Sequence, residues 1–132
     1  MIAESPFSTS HSHLQALFRS PALNSDNFDQ TILQAEGAQR APDLRLKIVY
    51  FWGDNCPNCE SAKRELSLMI DDLSPLAIDF HSVNAYEQMD LATRFGLYGI
   101  PAFLFFKKGQ LIGRITSFPT RQSFLQAIHR AL

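Results

Sequence analysis

Apolar residues fall into two patterns along this chain, short continuous runs and stripes at helical spacing, and the two alternate. Leu44–Trp52, introduced by Pro42, ends in Ile48-Val49-Tyr50-Phe51-Trp52. A run that is apolar at successive positions predicts a strand buried on both faces, as in a central parallel pair. Residues 57–73 then place Ala62, Leu66, Met69, Ile70 and Leu73 three or four apart, which predicts a helix ended by Ser74-Pro75. Pro57 suits the first helical position, where its missing N–H costs nothing. A second strand is predicted at 77–83, giving strand–helix–strand and hence a parallel pair.

Further along, a helix is predicted over 86–95, closed by Gly96. A strand at 102–107 follows, then a Lys108-Gly109 turn and a strand at 111–116, which together read as a hairpin. The last helix starts near Thr120, with Phe124, Ile128 and Leu132 on one face. Upstream, a helix is predicted over 24–35, capped by Ser25 or Asp26, striped by Phe28, Ile32 and Leu33, and stopped by Gly37. Residues 1–20 read as an extension in which Leu14, Leu17 and Phe18 form a short amphipathic turn. Residues 21–132 form the folded domain, an α/β protein with a central mixed sheet flanked by helices. Phe51, Phe103, Phe105 and Phe106 are predicted core, the last two on opposite faces of their strand.

Composition narrows the function classes. The 132 residues are 45% hydrophobic and 19% charged, enough for one ordinary core. Eleven phenylalanines exceed what that core needs and leave material for an apolar contact surface. A net charge of −1 without basic blocks argues against a nucleic-acid partner. No stretch approaches the about 18 apolar residues of a membrane span. The polar start, broken by Pro6, has no secretory pattern, which gives the expectation of a cytoplasmic protein.

The two cysteines, Cys56 and Cys59, are the only ones in the chain, and they stand as Cys56-Pro57-Asn58-Cys59 at the predicted helix start. In that position the first thiol faces unpaired backbone N–H groups and the positive end of the helix dipole, which stabilise a thiolate. The second lies one turn further in, close enough to attack a mixed disulfide. In a small chain expected to be cytoplasmic, this spacing points to redox chemistry rather than a structural staple. Zinc needs four ligands and only one such pair exists, so no metal and no cofactor is expected. His11 and His13 lie in the polar extension, and a lone strand histidine such as His81 is structural or at the surface.

An apolar strand ending in Phe51-Trp52, the Cys-x-x-Cys turn, a βαβ unit, Gly99-Ile100-Pro101 and a closing hairpin and helix resemble the thioredoxin family over residues 22–132. The resemblance implies the thioredoxin fold, Cys56 as nucleophile and Cys59 as resolving thiol. It implies that Pro101 is a cis-proline whose loop faces the cysteines, leaving backbone free to pair with an extended substrate. Trp52 matches a family tryptophan packed beside the active-site loop. Substrate contacts are expected from Trp52, Asn55, Pro57, Asn58, Ile100, Pro101 and Ser117. The implied partners are disulfide-containing protein substrates and a thiol reductant or reductase.

The chain departs from the family pattern at defined places. Asn55 stands where tryptophan usually precedes the first cysteine, and Pro57-Asn58 replaces Gly-Pro. Tyr50 occupies the place of a buried aspartate, and the partner lysine aligns with about Phe80. A glycine position beside the cis-proline loop is Ser117. Loss of the buried carboxylate leaves Cys59 without its usual proton acceptor; Tyr50, with an ordinary pKa near 10, is a poor substitute, and Glu60, Asp54 or water are the other candidates. Two rivals to an oxidoreductase remain: a thioredoxin-fold protein-binding module with little redox activity, and a glutaredoxin-like, glutathione-dependent reductase suggested by Cys-Pro-x-Cys.

Overall fold

The computed structural model describes residues 16–33 and 44–132. Its frame is a four-stranded mixed sheet in the order β2-β1-β3-β4, made of Leu46–Trp52 (β1), Ile78–Asn84 (β2), Ala102–Lys107 (β3) and Gln110–Thr116 (β4). All seven residues of β1 are buried, as their continuous apolarity requires of a central strand. β1 runs parallel to β2, with Trp52 opposite Asn84, and antiparallel to β3, with Tyr50 opposite Phe103. β3 returns through Lys108 and Gly109, both at positive φ, into β4. Phe105 pairs with Gly113 and Phe106 with Leu111, so Ile112 is the extra residue of a bulge. This is the thioredoxin fold.

Helices cover one face. Pro57–Ser67 (α1), Ile70–Leu73 (α2) and Arg121–Ala131 (α4) place Cys59, Ala62, Leu66, Leu73, Phe124 and Ile128 on Ile48, Tyr50, Phe80, Phe103 and Phe105. Phe124 meets Phe103 edge-on at 5.0 Å and Phe118 at 4.9 Å. Each fully buried phenylalanine contributes about 2–3 kcal/mol by leaving water. On the other face Leu23, Phe28, Ile32 and, from Met89–Arg94 (α3), Leu91 lie over Val49, Phe51, Val83, Leu104 and Phe106. Phe105 and Phe106 therefore serve opposite faces, as period-two geometry dictates.

Several elements differ from the sequence pattern. The helix predicted over 57–73 is two. Leu68 ends α1, and the Met69 N–H bonds the Leu66 carbonyl, three residues back rather than four, before α2 begins. That tighter turn keeps both Met69 and Leu73 buried while Leu68 points to solvent. The helix predicted from Tyr86 starts only at Met89. The Asn84 side chain accepts the Tyr86 and Glu87 N–H groups and holds 85–88 as a turn, a local alternative that asparagine offers a backbone.

The predicted helix at 24–35 is a turn followed by a π-helical segment, Asp29–Leu33. Its cap is the Asn24 side chain, which accepts the Asp26 and Asn27 N–H groups, because Ser25 is drawn away to Gln88 and Asp90. Positions 34–35 and the Gly37 stop lie outside the described residues, as do Leu14, Pro42 and the His11/His13 pair. Phe18 is extended rather than helical. It bridges Phe80 in parallel, is buried, and packs its ring, tilted to both, against Tyr50 and Phe80 at 6.0 and 5.4 Å. Leu132 lies past the end of α4 and is 41% exposed, so the fully buried residues of that helix are Phe124 and Ile128, flanked by the half-buried Leu125, Ala127 and Ala131.

Charge is buried at the end of the sheet remote from the cysteines. Asp79 accepts from Arg19 at 2.5 Å, Arg45 at 2.9 Å and Lys47 at 3.2 Å. Burial alone would raise its pKa, but the three cationic partners prevail and hold it at about 2. His81, two residues along β2, is buried, and neither ring nitrogen has a hydrogen-bond partner among the described residues. Burial, helped by the Lys47 and Arg19 charges and opposed by Asp79, pushes its pKa down to about 4.

The folded value for His81 thus lies below the unfolded value of 6.5. Between the two, the unfolded chain binds the proton more readily, so stability falls as pH drops through that window, by on the order of 3 kcal/mol in all. His81→Leu is predicted to flatten the pH 6.5-to-4 segment of a urea-unfolding series. The Asp79 contribution, lost only between 3.8 and about 2, is predicted to persist in that variant.

Candidate active site

β1 delivers the chain to Gly53, and Asp54-Asn55 turn it into α1. Cys56 is the N-cap, with extended backbone at φ −120° and ψ 97°, and its Sγ accepts the Cys59 N–H at 3.1 Å. The sulfur therefore plays the part that serine or aspartate oxygen plays at most helix starts. Pro57 occupies the first helical position. The Cys56 and Cys59 Cα atoms are 5.2 Å apart and their sulfurs are joined in a disulfide. Cys56 is half-buried at the surface, and Cys59 is only 3% exposed. One sulfur can be reached from solvent and the other cannot.

Across from the disulfide lies the loop before β3. The Ile100–Pro101 peptide is cis, and the Ile100 carbonyl oxygen lies 3.9 Å from Cys56 Sγ. A thiol at Cys56 would have an acceptor there. The Ser117 N–H donates to the Pro101 carbonyl at 2.9 Å, so the end of β4 belongs to the same rim. Asn55, Pro57, Asn58 and Ser117 are exposed, Ile100 is half-buried and Pro101 is buried. Trp52 is 6% exposed in the apolar cluster that includes Cys59, and its Nε1–H has no partner among the described residues. All nine residues singled out in the sequence thus fall on β1's end, the Cys-x-x-Cys turn, or the loop opposite and its β4 neighbour. Seven make up the disulfide, its own turn and the facing loop; Trp52 shares the apolar cluster of Cys59, and Ser117 is tied in through Pro101.

Tyr50 resolves the question of the missing acid in one respect. Its hydroxyl is buried and donates to the Cys59 carbonyl oxygen at 3.1 Å. Burial, reinforced by the Glu60 charge, pushes its pKa far above the ordinary value of 10. The group therefore stays protonated, pins the backbone of Cys59 and does not act as a base. In the parallel register Tyr50 stands opposite Ser82, and the ring of Phe80, at the aligned partner position, is reached through Phe18. Glu60 pairs with Lys63 at 3.0 Å, and that lysine, also on α1, is buried.

Sequence reasoning missed Gly53 and Tyr86. A Cβ at Gly53 would come 2.5 Å from Tyr86 Cε2 and 2.6 Å from Ile100 Cδ1. The chain needs glycine there because two side chains close over its backbone. The available signal was a glycine between an apolar strand and a helix start, which marks close approach without naming what approaches.

The profile of the thioredoxin family, described as Thioredoxin, matches residues 20–130. The chain belongs to the thioredoxin family. It is 26% identical over 88 residues to a thioredoxin of Methanocaldococcus jannaschii, covering 67% of this chain and 98% of that one. A thioredoxin of Mycoplasma pneumoniae is 28% identical over 81 residues, 61% of this chain and 78% of its own. A mouse protein, protein disulfide-isomerase A4, is 31% identical over 91 residues, 67% of this chain but 13% of that longer protein.

Ser117 carries a local strain. Its φ is +64°, a left-handed conformation that costs an L-residue roughly 1 kcal/mol relative to glycine. Ser117→Gly is predicted to raise unfolding stability by about that amount, measured by urea titration of the oxidised protein.

Proposed function

We propose that this protein is a thiol–disulfide oxidoreductase acting on protein disulfides. The observation that carries this reading is the pairing of a reachable Cys56 sulfur, held at a helix N-terminus by the Cys59 N–H, with a buried Cys59 sulfur one turn behind it. In the reduced protein that N–H and the helix dipole favour a Cys56 thiolate. The thiolate attacks one sulfur of a substrate disulfide. A mixed disulfide forms, and the other substrate sulfur leaves as a thiolate that takes a proton from water. Cys59 then loses its proton and attacks Cys56 Sγ. The second substrate thiolate leaves, and the protein holds the Cys56–Cys59 disulfide. Two electrons have passed to the substrate.

A thiol reductant or reductase restores the dithiol. With Tyr50 locked as a donor, the proton of Cys59 goes to water or to a carboxylate, for which Glu60, next in sequence, is the candidate. Substrate contacts are assigned to Trp52, Asn55, Pro57, Asn58, Ile100, Pro101 and Ser117. Asn55 and Ser117 set this rim apart from the usual family pattern and favour a narrow substrate set. A reducing compartment such as the cytoplasm suits the chemistry. Among the described residues no helix is long and apolar enough to cross a membrane.

Tyr50 also supports a second reading, a protein-binding module in which the redox pair is secondary, because no buried base speeds release. The two readings separate in one experiment. Cys59→Ser, pre-reduced and mixed with a protein disulfide, is predicted to accumulate a mixed disulfide through Cys56, seen as a mass adduct removed by dithiothreitol. Absence of any adduct, together with unchanged partner binding by a Cys56→Ser, Cys59→Ser double variant, would favour the binding module.

A further inference from the structure

Three of the large apolar side chains left in solvent lie on the stretch that leads from β2 to the loop facing the disulfide. Tyr86 is 59% exposed, Met89 is 66% exposed and Tyr98 is fully exposed. Exposed apolar groups scattered singly need no explanation, but three on one connection, one of them closing over Gly53 next to Ile100, do. Tyr86 is also fixed in place. The Asn84 side chain accepts its N–H at 3.0 Å, and its ring edge lies over the Gly53 backbone beside the Ile100 side chain. Ile100 in turn presents its carbonyl 3.9 Å from Cys56 Sγ. The contacts run without a gap from Tyr86 through Gly53 and Ile100 to the reactive sulfur.

Two carboxylates adjoin this ledge along the chain. Asp54 lies between Gly53 and Asn55, and Glu87 follows Tyr86; both are exposed, and neither has an ion-pair partner among the described residues. The cations nearest in sequence are committed, Arg94 to Asp29 at 2.7 Å, Lys47 to Asp79 at 3.2 Å and Lys63 to Glu60 at 3.0 Å. Two uncompensated carboxylates beside an apolar wall complement a segment that carries both an apolar and a basic side chain.

From this geometry we propose that Tyr86 is a specificity-determining residue. With Ile100 it forms an apolar wall that, flanked by Asp54 and Glu87, selects substrate disulfides whose cysteine is next to a bulky apolar residue and a lysine or arginine. The proposal rests on the oxidoreductase reading and adds the substrate class. Its chemistry is the exchange already written: the reduced Cys56/Cys59 dithiol gives two electrons to a peptide disulfide and is left oxidised.

The test uses the pre-reduced full-length protein in single turnover, which needs no reductase. Two symmetric peptide disulfides are compared, one with Phe-Cys-Lys and one with Ala-Cys-Glu at its core, by following protein oxidation. The phenylalanine–lysine peptide is expected to react about tenfold faster, an advantage shrinking as salt is added. Tyr86→Ala is expected to bring the ratio towards one, Tyr86→Leu to keep most of it, and Asp54→Asn with Glu87→Gln to remove its salt dependence. Equal rates for the two peptides with the wild-type protein, or a ratio untouched by Tyr86→Ala, would overturn the proposal alone. Reaction with neither peptide would overturn the oxidoreductase reading, and the proposal with it.

Discussion

Burial of β1 in the middle of the sheet is the constraint on which the site depends. A strand covered on both faces and paired on both edges has no freedom of register, because a slip of one residue would exchange its two apolar sets. Trp52 is therefore fixed, and with it the point where the chain leaves the sheet. Gly53 allows the backbone to leave beneath Tyr86 and Ile100, and four residues past Trp52 the chain reaches the capped start of α1. β3, antiparallel to β1, starts at Ala102 opposite Phe51, so the Ile100–Pro101 loop has to arrive on the same rim. The two halves of the site come from distant parts of the sequence but are set by one strand.

Within that frame the cysteine pair is asymmetric for simple reasons. An N-cap residue sits outside the helix with its side chain turned towards the first free N–H groups, so Cys56 is both reachable and electrostatically favoured. A residue one turn later on the core side is buried, so Cys59 is protected from everything but its neighbour. The aromatic replacement at Tyr50 changes the balance beneath them. A carboxylate there would be a proton acceptor in a dry environment. A phenol that donates to the Cys59 carbonyl instead stiffens the first turn of α1 and lowers the burden of buried charge. The protein keeps the geometry of the exchange and gives up one way of moving its proton.

Much of the architecture was legible in the sequence because period and apolarity report burial directly. β1, β3 and α4 follow from runs and stripes that tertiary packing only reinforces, and the Thr120 cap of α4 is found where the pattern puts it. The discrepancies share a cause, side chains or neighbours distant in sequence that redirect a local preference. Asn84 postpones α3, Ser25 is taken by Gln88 and Asp90, and Phe18 is pulled straight by its pairing with Phe80. The Cys-x-x-Cys turn and the Ile100-Pro101 loop were visible as motifs. The closure of Tyr86 over Gly53 was not, since a contact 33 positions apart leaves no periodic trace.

The most direct test of the account is an equilibrium redox titration of the purified protein across dithiothreitol ratios, read by the fluorescence of Trp52 and by thiol trapping. The account predicts one reversible transition between dithiol and Cys56–Cys59 disulfide, with the slope of a two-electron couple, about 30 mV per tenfold change, and no transition in Cys56→Ser. A pair that stays in one state across the whole range would contradict it.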